Sequence, residues 1–551
     1  MDVLDGLVAA CLIPLAIAAI VSGLDDLALD VALAWSWLRR KRTRQSMPRP
    51  ERERLPEKRI AVLIPLWREE AVIGRMLERN LGAVRYRNYQ VFAGAYPNDP
   101  ATMEAVREAE ERYPNVHLAV VPHNGPTSKA DCLNWIVQAM RAYEEACGER
   151  FDIAVTHDAE DVLHPDSLSW INLYAERYDM IQVPVLPLAT PSRKITHGVY
   201  CDEFAEYQTK DVPMRTVLKG FLPSNGVGTG YTRRALDRLA EDADHRIFDP
   251  NCLTEDYDCG LRLHRLGFPQ IFIPLSFEKG EPVATREYFP QRFRQAFRQR
   301  TRWVTGICLQ SWAKHGWGRS AAQLYWFWRD RKGLIGNPLS LLGNLVCLYG
   351  LATLAWSKLS GNPWSLGACA QSPGEQALLG SALLLQLHRL LVRTLCTARI
   401  YGAAFAAGTP LRAVWANWIN GLATLSALHQ YARARLLRVP LVWLKTEHTY
   451  PAQAVEAARP EEAAPVAAAF ATRPEILRTL PWRLMRRWEV VPTQVSGGTL
   501  YLASKAPPAA GFMAEIRRHT RLRVRVQIVP QESFDELLRR AEPTRRPAQV
   551  R

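Results

Sequence analysis

Three long apolar runs interrupt an otherwise mixed pattern of hydrophobic and polar positions. Gly6 to Leu24 and Gly333 to Ser357 carry no charge, and each is about long enough to cross a hydrocarbon core. A third run, Ala377 to about Cys396, is broken by His388, Arg389 and Arg393. Three membrane spans are therefore expected. Arg39, Arg40, Lys41, Arg42 and Arg44 follow the first run while Asp2 and Asp5 precede it, so the positive-inside rule puts its C-terminal end in the cytoplasm. Arg329, Arg331 and Lys332 before the second run, with Arg399 and Arg412 after the third, put both large polar regions on that same side. No small-residue cleavage site follows the first run, which reads as a retained anchor. Ala413 to Leu428 is uncharged but short for a span, and an amphipathic helix in the interface is expected there. In the third run Gln386, Arg389 and Arg393 fall on one helix face. An arginine facing lipid costs about 2.5 to 3.5 kcal/mol, so this stripe either lines an acceptor path or snorkels to the cytoplasmic surface.

Between the first two runs, over residues 59–280, short apolar runs alternate with helical spacing. RIAVLIPLW (59–67), YQVFAGAYP (89–97), VHLAVVPH (116–123), FDIAVTHDAED (151–161) and MIQVPVLPL (180–188) read as strands, and AVIGRMLERNLGAV and ATMEAVREAEERY as helices. This pattern predicts an α/β sheet, mostly parallel and covered on both faces. Ligands of such sheets bind beyond the carboxyl ends of the strands.

Composition narrows the classes. The 551 residues allow three or four compact units, and 48% hydrophobic with 23% charged residues describes a folded chain. The ten cysteines include no C-x-x-C pair, which argues against a disulfide framework or a zinc module and fits a reducing compartment. No Walker A or H-E-x-x-H string occurs, and Gly226, Gly228 and Gly230 lack dinucleotide-loop spacing. The net charge of +15 fits a membrane surface, and no nucleic acid partner is expected.

Three polar clusters carry the candidate chemistry. Asp158, Glu160 and Asp161 follow the fourth strand, where hard carboxylate oxygens suit a divalent cation; read alone they could equally cap the next helix. LTEDYDCGLRL (253–263) opens a helix with Glu255 and Asp256, placed to take a proton from a bound hydroxyl or simply to cap. RFRQAFRQRTRW (292–303) is a basic amphipathic helix ending in Gln299, Arg302 and Trp303, suited to phosphate and a sugar ring or to anionic lipid.

In this order, D-x-E, T-E-D and Q-x-x-R-W resemble the membrane glycosyltransferases of family 2, the group of cellulose and hyaluronan synthases, over about residues 58–305. SGLDDLALD, IPLWREEAVIG, HDAEDVLHPDSL and WLKTEHTYP (443–451) further resemble the bacteriophage adsorption protein B family of inner-membrane glycosyltransferases. The resemblance implies a Rossmann-like GT-A catalytic domain, with about three transmembrane helices, interfacial helices and a small C-terminal α/β domain. It implies Pro65, Glu69 and Asp99 as contacts to base and ribose, Lys129 near the donor diphosphate, and Asp158 and Glu160 on Mg²⁺ or Mn²⁺. Asp256, beside Glu255, would be the general base, Arg302 would hold pyrophosphate, and Gln299 and Trp303 the acceptor. The glycines of PSNGVGTGY (223–231) permit close approach of a ligand, with Asn225 and Gly226 on the acceptor side.

The expected organisation is an anchor with an interfacial helix over 1–44, the catalytic domain over 45–315, a membrane region over 316–450 and a linker over 451–475. A small domain over 476–543 and a disordered tail over 544–551 follow. The small domain, read as strand, Gly-Gly hairpin, strand, helix, strand, helix, resembles the MshEN-like domain of type II secretion ATPases. That domain binds cyclic di-GMP in some proteins through a preceding R-L-G-x-x-L helix, which ATRPEILRTLPWRLMRRW lacks. Arg517, Arg518, Arg521, Arg523 and Arg525 could instead meet lipid or the catalytic domain. The function implied is inverting transfer from a nucleotide sugar, such as a UDP-N-acetylhexosamine, to a polysaccharide at the inner membrane, with an outer-membrane partner protein and a role in phage adsorption. Single addition to a lipid-linked acceptor, or an inactive membrane scaffold, are the competing readings.

Overall fold

The structure, a computed structural model, describes residues 3–43, 55–242, 246–278, 280–318, 320–368, 372–439, 474–477, 479–496, 499–506, 511–516, 518–520, 522–529 and 531–541. Arg44, the WLKTEHTYP string, nearly all of the expected linker, the Gly497–Gly498 turn, Arg517, Arg521 and the expected tail lie outside the described residues. The chain forms two compact units, Met1–Pro451 and Ala452–Arg551.

The first unit opens with α1 (Val3–Thr43). The stretch expected to hold the anchor and interfacial helix is one continuous helix of 41 residues, with no Gly or Pro after Leu24 to break it. The α/β layer then runs β1 (Ile60–Pro65), α2 (Ile73–Ala83), β2 (Tyr89–Ala95), α3 (Pro100–Arg112), β3 (Val116–Val120), α4 (Lys129–Cys147), β4 (Ile153–Thr156), β5 (Met180–Gln182) and β6 (Val185–Pro187). It continues with α5 (Ile195–Glu206), β7 (Thr229–Thr232), α6 (Glu255–Arg265), β8 (Gln270–Phe272), β9 (Thr285–Glu287) and α7 (Phe293–Trp303). The main sheet has the order β3-β2-β1-β4-β7-β5-β8, with β7 antiparallel to both neighbours and the other pairings parallel.

The unbroken apolar run of β1 is explained by burial on both faces. Ile60, Val62 and Ile64 pack with Met76, Leu77 and Val106 on one side, and Ala61 and Leu63 pack with Ile136 and Met140 on the other. Helix α4 lies so close to β2 that a Cβ on Gly94 would come 2.5 Å from Ile136 Cγ1. The expected strand over 180–188 is in fact two: β5 joins the main sheet and β6 pairs with β9. Pro184 stands between them and cannot donate to a ladder.

Among the described residues, three helical stretches are long and apolar enough to cross a membrane: Val3–Arg39, Ala321–Ser360 and Pro373–Tyr401. The second joins α8 (Ala321–Arg331) and α9 (Gly333–Ser360), and the third is α10 (Pro373–Tyr401). The segment expected as an interfacial helix is part of α11 (Thr409–Leu437), of 29 residues. Its buried stripe Ala416, Ile419, Ala423 and Ala427 follows helical spacing, and Gly421 admits Leu341 of α9, 2.6 Å from where a Cβ would stand. The two arginines of the α10 stripe have carboxylate partners that the sequence pattern did not show. Arg389 Nε lies 2.7 Å from Asp26 of α1, and Arg393 Nε donates to Glu206 of α5 at 2.7 Å. Protein carboxylates therefore absorb both charges.

The second unit holds β10 (Val490–Ser496) antiparallel to β11 (Thr499–Ser504), which is parallel to β12 (Arg523–Ile528). Helices α12 (Phe512–Ile516) and α13 (Gln531–Ala541) follow β11 and β12 as expected. Leu500 and Leu502 pack with Phe512 on one face, and Val491 and Ala503 with Phe534 and Leu537 on the other.

Candidate active site

A cavity at the carboxyl edge of the main sheet takes its walls from the loops that leave that edge. Pro65 ends β1 and Trp67 and Glu69 follow it, Tyr96 follows β2, Lys129 begins α4, and Asp158 and Glu160 follow β4. Asn225 precedes β7, which starts at the same edge because Thr229 pairs with Thr156 at the end of β4. Glu255 and Asp256 open α6, Glu287 ends β9, and Gln299, Arg302 and Trp303 come from α7.

Local chemistry holds these groups in place. Lys129 is the first residue of α4, whose N-cap Ser128 accepts the Asp131 N–H at 3.2 Å. The loop after β4 is built on Asp161, fully buried, whose Oδ2 accepts the Asp158 N–H at 3.0 Å and lies 2.7 Å from His157 Nδ1. Asn80 of α2 completes it, donating to the Asp161 carbonyl at 2.7 Å and accepting the Leu163 N–H at 3.1 Å. Asp161 is thus a structural acid, and Asp158 and Glu160 are the two left on the cavity wall. Burial lifts the Asp161 carboxyl to about 6 against the pull of His157.

Lys129 Nζ reaches Asp158 Oδ1 at 2.5 Å and the Gly226 carbonyl at 3.5 Å. Burial opposes its charge, but Asp158, Glu255 and Asp256 outweigh that and raise its pKa. Burial, then the Asp256 carboxylate, push Glu255 up to about 7, and burial also raises Asp256, with Lys129 and Arg302 pulling it back. Glu287 is raised well above its ordinary value by burial and by Asp161, Glu160 and Asp158. The cavity is therefore acid-rich, with two cations at its wall.

Helix α7 is clamped from behind. Arg300 Nη1 donates to Glu203 Oε2 and to Asn420 Oδ1, both at 2.6 Å, and its guanidinium lies 4.3 Å from the Tyr200 ring centroid. Asn420 Nδ2 donates in turn to Glu203 Oε1 at 3.0 Å. Trp303 packs edge-on against Tyr200 at 6.1 Å and Phe289 at 6.5 Å. Asn225 Nδ2, Gln299 Oε1 and Arg302 Nε are buried and have no hydrogen-bond partner among the described residues. Three unmet polar groups thus belong to the walls of one cavity.

The residues to which the resemblance gave a role all line this cavity except Asp99 and Gly226, and of the acidic triplet Asp161 alone stands off the wall. Asp99 accepts the Arg68 N–H at 2.6 Å, bracing the loop after β1 where Arg68 adopts a φ of 54°; it stands behind the wall rather than in it. Gly226, with a φ of 77°, passes close to the T-E-D acid: a Cβ there would stand 2.7 Å from Asp256 Oδ2. Sequence reasoning missed Glu287, Tyr96 and Trp67. Glu287 sits on a three-residue strand with no motif around it; Trp67 and Tyr96 directly follow strands, where the carboxyl-edge rule could have found them.

Residues 56–306 match the family described as glycosyltransferase like family 2, and residues 467–548 match the MshEN domain. The chain is 39% identical over 463 residues to bacteriophage adsorption protein B of Escherichia coli (strain K12), covering 80% of this chain and 62% of that protein. The same figures hold for bacteriophage N4 adsorption protein B of Escherichia coli O157:H7. The chain thus spans less than two thirds of the length of these relatives. Among solved structures, a mannosyltransferase from Pyrobaculum calidifontis in complex with GDP-Man and Mn2+ has a TM-score of 0.39 at 17% identity, covering 73% of this chain and 99% of that one. Glucosyl-3-phosphoglycerate synthase from Mycobacterium tuberculosis, in complex with Mn2+, UDP and glucosyl-3-phosphoglycerate, has a TM-score of 0.26 at 16% identity, covering 42% and 73%. The family-2 and MshEN resemblances read from the motifs agree with the family matches, and residues 56–306 hold the mostly parallel α/β sheet expected of them.

Proposed function

We propose that residues 56–306 catalyse inverting, metal-dependent transfer of a sugar from a nucleotide sugar, with UDP-N-acetylhexosamine the first donor class to test. The observation that carries this reading is the convergence of Asp158 and Glu160, Glu255 and Asp256, and Gln299, Arg302 and Trp303 on one cavity. Pro65 and Glu69 would meet the nucleoside. Lys129 and Arg302 would stabilise the diphosphate as negative charge builds on it. Asp256 would take the proton of the acceptor hydroxyl as that oxygen attacks from the face opposite the leaving group, so the anomeric configuration inverts. Trp303, backed by Tyr200 and Phe289, offers the acceptor ring a flat apolar face.

Among the described residues no three His, Cys, Asp or Glu side chains converge to hold a metal by themselves. Asp158 and Glu160 nonetheless fit a hard divalent cation that would share its ligands with the donor diphosphate, and the Glu287 carboxyl, raised first by burial and then by Asp161, Glu160 and Asp158, marks an acidic excess that such a cation would relieve. When bound there, Mg²⁺ or Mn²⁺ would neutralise charge on the leaving diphosphate.

The likeness to bacteriophage adsorption proteins and the helices of membrane length support a membrane place and a role in phage adsorption; an inner-membrane location, an extended polysaccharide product and an outer-membrane partner protein complete the proposal. The test is UDP release by full-length protein from a donor panel with and without divalent cation. Asp256→Asn should abolish transfer and leave donor binding largely intact; undiminished turnover in that variant, or turnover indifferent to chelator, would overturn the assignment. A ladder of products would favour polymerisation over addition of one sugar to a lipid phosphate.

A further inference from the structure

A groove of about 430 Å³ lies between the loop that leads into α5 and the first turns of α11, separate from the cavity above. Arg193, Lys194 and Ile195 form one wall, and Leu411, Val414 and Trp418 the other. The Trp415 indole N–H donates to Thr196 Oγ1 at 3.1 Å and pins the walls together. Two features set the chemistry of this groove, an apolar wall left open to solvent and a pair of exposed cations beside it. Leu411 is 65% exposed, Val414 46% and Ile195 37%. The exposed side chains of Arg193 and Lys194 make no ion pair or hydrogen bond among the described residues.

Both walls are tied to the end of a helix of membrane length. Helix α10 ends at Tyr401, and α11 begins eight residues later at Thr409. The Tyr401 hydroxyl donates to the Pro187 carbonyl at 2.7 Å, just before the loop that carries Arg193 and Lys194. Arg412 of α11, buried, binds Asp202 of α5 through Nε at 2.7 Å and Nη2 at 2.8 Å, and Thr397 of α10 donates to the same carboxylate at 3.1 Å. The groove is therefore fixed where α10 leaves its apolar stretch.

We propose that this groove binds the headgroup of an anionic phospholipid, with phosphate on Arg193 and Lys194 and the upper acyl chain along Leu411, Val414 and Trp418. A neutral lipid would leave the cations unmet, and a free phosphate would leave the apolar wall in water; an anionic lipid satisfies both. The tryptophan sits where an indole prefers to be, at the junction of the two.

The test uses full-length protein reconstituted in nanodiscs of phosphatidylcholine with added phosphatidylglycerol, then released and weighed by native mass spectrometry with its retained lipids. Wild type should retain phosphatidylglycerol in preference to phosphatidylcholine, and inorganic phosphate should not displace it. Arg193→Glu with Lys194→Glu should lower that preference roughly thirtyfold, about 2 kcal/mol, from two juxtamembrane cations. Leu411→Gln should weaken retention with the charges unchanged. Both cations are exposed, so the melting temperature should not move and loss of lipid cannot be ascribed to unfolding. Unchanged retention in the charge-reversed protein, equal retention of the two lipids, or full displacement by inorganic phosphate would each overturn the proposal. None of these readouts depends on sugar transfer.

Discussion

The clamp behind α7 makes a prediction that separates positioning from stability. Arg300 is 7% exposed and holds two charge-assisted hydrogen bonds of 2.6 Å together with the Tyr200 ring. Arg300→Met keeps most of the side-chain volume and removes both bonds. Glu203 would then keep only the Asn420 amide, at 3.0 Å. Breaking a fully buried pair costs about 3 to 5 kcal/mol, and the 22% exposure of the Glu203 side chain lowers the expectation to about 2 to 4 kcal/mol. Asn420→Ala removes neutral partners and should cost about 1 to 2 kcal/mol. Helix α7 carries Arg302 and Trp303 on its cavity side, so a shift of about 1 Å should lower transfer on the order of a hundredfold in both variants. The checks are a thermal melt in detergent, saturating-donor turnover, and a double-mutant cycle. The three residues form one closed circuit, so the cycle should give a coupling of at least about 0.5 kcal/mol. Additive effects on stability, or normal transfer in a destabilised Arg300→Met, would refute the idea that this circuit sets the angle of α7.

Three further outcomes follow from the site and its frame. Glu255 is raised from 4.5 to about 7, so its folded form holds a proton more tightly than its unfolded form. That contribution to stability is present below about pH 4.5 and is lost as pH rises through 7; the melting temperature should fall between about pH 5 and 8, Glu255→Gln should flatten that fall, and an unchanged slope in the variant would contradict it. Gly226→Ala puts a Cβ at a φ of 77° and 2.7 Å from Asp256 Oδ2, so activity should drop at least about tenfold for a stability loss of about 1 to 2 kcal/mol, measured by UDP release and melting. Arg412→Met strands the Asp202 carboxylate, which is 2% exposed, and should cost about 3 to 5 kcal/mol; adding Asp202→Asn should restore part of it, and no restoration would mean that the pair is not the cause.

What could be read from the sequence was what depends on local period and fixed order. The two-sided apolar run of β1, the acids after β4 and the T-E-D helix start all lie where spacing alone put them. Contacts made by distant partners could not be read. Asp99, which the resemblance offered as a ligand contact, spends Oδ2 on the Arg68 N–H and braces the loop after β1 instead of lining the cavity. Glu287 gave no signal, since it reaches the cavity only through the pairing of β9 with β6, a strand that was itself merged with β5 in the reading. The sixteen-residue apolar heart of α11 reads as too short to span a bilayer, and spacing could not say that its small residues were cut to fit α9 and α7.

The same distinction accounts for the charges in the apolar half of the chain. Taken singly, Asp25, Asp26 and Asp30 of α1 and Arg389 and Arg393 of α10 look like faults in membrane helices. Together they form a lattice: Arg329 donates to Asp25 at 2.8 Å, Lys332 to Asp26 at 2.9 Å, Arg389 meets Asp26 at 2.7 Å and Lys210 meets Asp30 at 3.1 Å. Lipid tails are as apolar as leucine, so long apolar helices gain little from each other by hydrophobic burial and need polar or close-packed contacts to associate. Here the contacts are ionic, and they reach beyond the helices: Lys210 lies in the π-helical turn after α5, and Glu206 at the end of α5 receives Arg393. Helix α5 also carries Asp202, which holds α11, and Glu203, which holds Arg300. One helix of the α/β layer thus presents three carboxylates to three different partners, so α10, α11 and α7 cannot move independently of it. That arrangement couples the cavity wall formed by Arg302 and Trp303 to the helices of membrane length without any of those helices touching the reacting groups.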